Sequence, residues 1–242
     1  MNRVAMMAIL AGVMASGLAQ AQLYTGFDSF SDRSGSWSSH EVLGKTEVTN
    51  GLLRISRNHD EYTDFPDQWI NMTMNVSGCP EWEYDIGTHC DMSDYYRVTG
   101  LVRAPHKNTK PLRRYQIGVG YLDAGESEIG LMIQDSAAGR KLVATYKSGV
   151  IKTQKLGGPF DMWLLRVTYA AASRTLAYWY APAPLSGSPS WIRLCTYAVP
   201  ESDLSGGDML LDPGILGHIV GNGCRASWNV GVSSFSYSFN NK

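Results

Sequence analysis

The sequence predicts an all-β protein built as a two-sheet antiparallel sandwich, and three observations carry that prediction. Apolar residues alternate with polar ones at period 2: Tyr115, Ile117, Val119 and Tyr121 interleave with Gln116, Gly118 and Gly120, and Leu176, Tyr178 and Tyr180 interleave with Thr175, Ala177 and Trp179. Such alternation sends one set of side chains to a core and the other outward. Turn clusters then cut the chain at short intervals: Ser34-Gly35-Ser36, Ala124-Gly125, Gly157-Gly158-Pro159, Ser186-Gly187-Ser188-Pro189 and Ser205-Gly206-Gly207. Finally, no long stretch after residue 23 carries an apolar stripe at helical spacing. Many short strands with no helices between them pack as two stacked sheets.

In chain order, the pattern predicts strands near 42–48, 51–57, 67–76, 95–104, 114–122, 127–134, 140–147, 160–170, 173–181, 190–199, 215–221 and 226–239. Leu53 and Ile55 alternate with Arg54 and Ser56 in the second of these. The segment at 160–170 should place Trp163, Leu165, Val167 and Tyr169 on one face. In the last strand Trp228, Val230 and Val232 are even-numbered, whereas Phe235, Tyr237 and Phe239 are odd. The phase flips at Ser233-Ser234, which predicts a bulge or a strand changing sheets. No repeat, linker or low-complexity tract divides the chain, so residues 22–242 are expected to form one domain.

Residues 1–21 read as a signal peptide. Arg3 supplies a positive start, an apolar run covers Val4 to Leu18, and Ala19-Gln20-Ala21 has the small-x-small form of a bacterial cleavage site. The run is short of the roughly 20 apolar residues that a stable span needs. The mature chain is therefore expected to begin at Gln22, to be secreted or periplasmic, and to have no membrane span. A membrane β-barrel fits less well, because the strands lack an even spacing.

Charge excludes further classes. The 242 residues carry 21 basic and 22 acidic side chains. Loss of Arg3 with the leader leaves a balance of −2, too neutral to coat nucleic acid or an anionic membrane. Charged residues are few (18%) and aromatics many (11%), which suits a sheet protein with an aromatic surface. Four cysteines, Cys79, Cys90, Cys195 and Cys224, form an even set in an exported chain and imply disulfides. Of three pairings, Cys79–Cys90 with Cys195–Cys224 encloses two local loops, and closing a loop of that size stabilises by about 3 kcal/mol in the chain-entropy account.

Three segments carry a family likeness. Trp163-Leu164-Leu165-Arg166-Val167-Thr168-Tyr169, a short turn, and Leu176-Ala177-Tyr178 resemble a recurrent hairpin of concanavalin A-like lectins and glucanases. The family often has Asp after the Tyr, where this chain has Ala170. Ile129-Gly130-Leu131-Met132-Ile133-Gln134-Asp135-Ser136 resembles a segment of bacterial extracellular jelly-roll domains of the same class. The opening Phe27-Asp28-Ser29-Phe30 and closing Val232-Ser233-Ser234-Phe235-Ser236-Tyr237 resemble the paired first and last strands of such domains. The resemblance implies a concanavalin A-like jelly roll in which residues 24–30 pair with 229–238. It leaves function to the site.

The loop from Cys79 to Cys90 and its continuation concentrate chemistry: Glu81, Glu83, Asp85, Asp91 and Asp94 surround Trp82, Tyr84, Tyr95 and Tyr96. Aromatic faces cover the C–H face of a sugar ring and carboxylates take its hydroxyls. Trp82, Tyr84, Asp91, Tyr95 and Tyr96 are thus candidate ligand-binding residues for a polysaccharide, on the concave sheet or its loop rim. Glucanases of the resembled superfamily carry Glu-x-Asp-x-(x)-Glu on one strand. Glu81, Glu83 and Asp85 share a face by the period-2 rule, which makes them the catalytic candidates of the alternative, a glycan-cleaving enzyme. The order Glu-x-Glu-x-Asp departs from that pattern. Tyr146-Lys147-Ser148-Gly149 resembles part of an alginate-lyase motif, although Gln134 lacks the His that such enzymes place two residues later. A third alternative is an envelope or matrix structural protein. Binding requires no cofactor on this reading. Asp91, Asp94, Asp123 and Glu126 are oxygen ligands that suit Ca²⁺. Trp163, Trp179 and Trp228 are expected on inner faces, and Trp69 near a loop.

Overall fold

The computed structural model describes residues 23–30, 37–42, 44–48, 51–57, 67–74, 93–105, 114–123, 127–135, 139–204, 209, 211–220 and 230–241. Among the described residues the regular structure is fifteen strands and two short 3-10 turns, with no α-helix. The strands are β1 (Leu23–Asp28), β2 (Trp37–Val42), β3 (Gly44–Val48), β4 (Leu53–Arg57), β5 (Asp67–Met74), β6 (Ser93–Arg103), β7 (Arg114–Asp123), β8 (Glu128–Asp135), β9 (Lys141–Tyr146), β10 (Gly149–Lys155), β11 (Met162–Ala170), β12 (Thr175–Pro182), β13 (Ile192–Ala198), β14 (Leu211–Val220) and β15 (Gly231–Asn241).

They form two antiparallel sheets. One has eight strands in the order β13-β12-β11-β6-β15-β4-β3, with β1 also on β15; the other has seven, in the order β10-β9-β8-β7-β14-β5-β2. The expected strand at 42–48 is divided: β2 joins the seven-stranded sheet and β3 the eight-stranded one. The edge strand β10 escaped the sequence reading because its Val-Ile-Lys-Thr-Gln-Lys run is almost wholly exposed and has no apolar face.

Alternation places the core between the sheets. Tyr115, Ile117, Val119 and Tyr121 of one sheet meet Trp163, Leu165, Val167, Tyr169, Leu176, Tyr178 and Tyr180 of the other, all buried. Val119 approaches so closely that a Cβ on Gly100 would lie 2.4 Å from its Cγ1. Phenols tie the sheets together. The Tyr121 hydroxyl donates to the Val167 carbonyl at 3.0 Å, and the Tyr178 hydroxyl donates to the Thr145 carbonyl at 2.8 Å.

The ends meet as expected. Leu23 to Asp28 pair with Asn240 to Phe235. The register of β15 shifts between Val232 and Ser234, and both Val232 and Phe235 reach the core, so the phase flip is a bulge. Arg174, in the left-handed region at φ 50°, closes the β11–β12 hairpin after a 3-10 turn over Ala171–Ser173.

Candidate functional site

Each sheet has an outer face, and the sequence furnishes the two faces differently. On the seven-stranded sheet the odd residues of β7 and β8 enter the core, so the even ones point outward. Pairing sets Trp69, His218, Gln116, Gln134 and Lys141 side by side, one on each strand from β5 to β9. Strands lie about 4.8 Å apart, so this row is about 19 Å long, the reach of an extended polymer segment. Gln116, Gln134 and Lys141 are half-buried. An amide offers two N–H donors and a carbonyl acceptor, the combination that pairs with vicinal hydroxyls.

The rows beside it are packed away from solvent: Leu122 is 4% exposed, Met132 1% and Leu216 0%. Leu122, Met132 and Leu216 make a second apolar cluster on this outer face, separate from the main core. Three glycines let them lie flat. A Cβ on Gly118 would stand 2.0 Å from the Leu131 carbonyl oxygen, one on Gly120 2.2 Å from that of Ile129, and one on Gly130 2.2 Å from Leu216 Cδ1. The Thr145 hydroxyl accepts from the Gly130 N–H at 3.1 Å and donates to the Gly130 carbonyl at 3.3 Å, which satisfies a buried hydroxyl beside apolar neighbours.

The sequence-predicted residues are distributed otherwise. Glu81, Trp82, Glu83, Tyr84, Asp85, Asp91, Glu126, Cys79, Cys90, Cys224, Trp228 and the leader lie outside the described residues. Asp94 stands in β6, on the eight-stranded sheet. Tyr95 is exposed on the outer face of that sheet, whereas Tyr96 is a correction to the ligand-binding set. Alternation turns it inward to 3% exposure, edge-on to Tyr121, with no face left for a ligand. Asp123 organises the β7–β8 turn, where its Oδ1 accepts from the Ser127 N–H at 2.8 Å. No cluster of three or more metal-ligating side chains occurs among the described residues. Cys195 is half-buried with a free thiol that burial pushes above its ordinary pKa.

Two further expectations change. Trp179 is not an inner residue: it alternates outward on β12, while Trp163 is buried in the core as expected. Tyr146, at the start of the lyase-like segment, is buried, and its hydroxyl donates to Asp203 Oδ2 at 2.5 Å. Burial and that hydrogen bond raise its pKa far beyond the usual phenol value. Asp203 also holds Lys147 Nζ at 2.9 Å, and these two donors, Tyr146 first, hold its carboxyl below the ordinary range. This group therefore joins the sheet ends.

The row from Trp69 to Lys141 was missed because it exists only through pairing. Gln116 and Gln134 face each other across the β7–β8 hairpin, but His218 joins them from β14, far along the chain, and no local motif links the three. The available signal was the polar phase of β7 and β8, where a glutamine takes an outward position among glycines.

Two antiparallel sheets of this topology, enclosing one core and closed by paired terminal strands, define a concanavalin A-like jelly-roll sandwich of the legume-lectin kind. Solved structures agree. Lectin I from Ulex europaeus, in complex with the methyl glycoside of α-L-fucose, is similar at a TM-score of 0.53 and 9% identity, over 90% of this chain and 98% of that one. Peanut lectin with a 9mer peptide gives 0.52 and 10% over 90% and 98%, and arcelin-5, a lectin-like defence protein from Phaseolus vulgaris, gives 0.51 and 6% over 91% and 99%. At these identities the likeness establishes the fold. No family model and no curated protein matches the sequence.

Proposed function

We propose that the chain is an exported carbohydrate-binding protein that takes an extended polysaccharide across the outer face of its seven-stranded sheet. The observation that carries this reading is the adjacent pair Gln116 and Gln134, half-buried at the centre of a sheet, in register with His218 and Trp69. Amides at that position answer hydroxyls. The lectins of similar fold support the reading without supplying the residues. The acidic aromatic loop, with Trp82, Tyr84 and Asp91, has the residue types that would add stacking and hydroxyl contacts, and Ca²⁺ is the metal that its carboxylates and those of Asp123 and Glu126 would take. Export rests on Arg3, the apolar run and Ala19-Gln20-Ala21, and oxidation outside the cell would pair Cys79 with Cys90 and Cys195 with Cys224.

Retention on a panel of immobilised neutral and acidic polysaccharides tests the proposal. The wild-type chain is expected to be retained by at least one neutral polysaccharide without releasing new reducing ends. Reducing-end release abolished by Glu83→Gln would instead establish the glycan-cleaving alternative. No retention and no release would leave a structural protein of the envelope or matrix.

A further inference from the structure

The opposite face of the sandwich carries a different chemistry. On the eight-stranded sheet the outward positions of β13, β12, β11, β6 and β15 bring Arg193, Trp179, Arg166, Thr99 and Ser236 into one row, strand by strand. Arg97 and Arg103 flank that row on β6, two and four residues from Thr99. Arg97 and Arg193 are exposed, and Arg166 and Arg103 half-buried. Among the described side chains on this outer face there is no carboxylate, and the ion pairs between described residues, Lys147–Asp203 and Arg174–Glu201, leave these four arginines aside.

The arginines are held by rings and hydroxyls instead. The Arg166 guanidinium lies 3.9 Å from the centroid of the Trp191 ring, and its Nε donates to Thr99 Oγ1 at 3.1 Å. Arg193 stands 5.6 Å from the centroid of Trp179. Stacking occupies a guanidinium face and leaves its edge free, and that edge matches a carboxylate or sulfate bidentately. Burial, and then the Arg97 charge beside it, pull the Arg166 pKa below its usual value. The whole chain is close to neutral at −1, so this concentration of charge belongs to the face and not to the composition.

We propose that this arginine–indole face is a second binding site, and that its occupant is an acidic polysaccharide bearing carboxylate or sulfate groups. Charge complementarity selects an anion. Arg193 and Arg166 sit two strands apart, about 10 Å, so a chain with regularly spaced charges can meet both. Thr99 and Ser236, with the exposed Phe27 in register beyond them, supply the hydroxyl and ring contacts that a sugar backbone uses and a bare polyphosphate does not. A second copy of the chain is disfavoured, because stacking two such faces would bring eight arginines together with no described carboxylate between them. The site is independent of the amide row on the opposite sheet.

The test uses the full chain with heparin, polygalacturonate, neutral dextran and anionic phosphatidylglycerol vesicles as probes. Heparin or polygalacturonate is expected to bind at low salt and to lose at least tenfold in affinity when salt is raised into the physiological range and beyond. Arg97→Gln with Arg193→Gln, both exposed positions, should cut that binding at least tenfold while leaving the thermal midpoint unchanged. Arg166→Lys should keep the charge yet lose several-fold, because an ammonium neither stacks nor forks. Vesicle binding that depends on these arginines, with neither acidic polysaccharide bound, would overturn the proposal in favour of a lipid surface. Concentration-dependent dimerisation abolished by the same variants would overturn it in favour of self-association. Acidic-polysaccharide binding that survives the double substitution would also overturn it. Binding to neutral glycans plays no part in any of these outcomes.

Discussion

The two outer faces share one core and one pleat, yet they differ in almost every surface property. On the seven-stranded sheet the described outward residues of β7 and β8 are glycines, amides, the largely buried Glu128 and a small apolar cluster, packed so tightly that a Cβ on Gly118 or Gly130 has no room. On the eight-stranded sheet they are arginines, threonines and serines with indoles laid against the charges. The core tolerates either face, because alternation separates the decision about stability from the decision about surface chemistry. A sandwich can therefore carry two unrelated recognition surfaces, and each should fail separately.

The largest effect breaks one face only. Gly118→Val places a branched side chain into the backbone of β8 and should destabilise the protein by about 3 kcal/mol or more, read from the denaturant midpoint. Ala177→Val, an outward position on the arginine-bearing sheet, should cost no more than about 0.5 kcal/mol. Equal costs would mean that the glycine floor is slack.

The next effect tests how firmly the faces are coupled. Tyr121→Phe and Tyr178→Phe each remove one hydroxyl that crosses between the sheets. Each is expected to cost about 1 kcal/mol. Burial raises both phenols, so the protonated forms are the folded ones. The stabilisation they bring is complete below about pH 10, their unfolded value, and declines as pH rises above it. The wild type should therefore lose more stability above pH 10 than either variant.

The smallest effect lies where the sheet ends meet. Asp203 has a lowered carboxyl pKa, so its contribution is complete above about pH 4, its unfolded value, and is lost as acidification carries the folded protein through the lower one. Asp203→Asn should lower stability slightly at neutral pH, where that contribution is complete, and converge with the wild type in acid, so that the acid limb of the stability profile flattens. An unchanged acid limb would detach the Tyr146–Asp203–Lys147 group from folding.

Much of the core was legible in the chain, because period-2 runs such as Tyr115 to Tyr121 and Trp163 to Tyr169 declare their inner face directly. The bulge in β15 was legible for the same reason. Trp179 was misread because an indole in a strand suggests a core residue, and only the cation–π contact with Arg193 shows what an outward indole is for. Tyr96 was misread because adjacent tyrosines point to opposite faces, and composition alone does not say which of Tyr95 and Tyr96 is outside. The amide row and the arginine row were illegible in principle. Each depends on strands inserted from distant parts of the chain, β14 and β5 beside β7 in one and β6 and β15 beside β11 in the other, by a strand order that local patterning does not encode.

The central claim is that the amide face recognises a neutral glycan. The most direct measurement is retention of two double variants on the neutral polysaccharide that retains the wild type. Gln116→Ala with Gln134→Ala should lose at least tenfold in retention, with the thermal midpoint held, while Arg97→Gln with Arg193→Gln should be retained like the wild type. Full retention of the glutamine variant, or loss of retention in the arginine variant, would contradict the account.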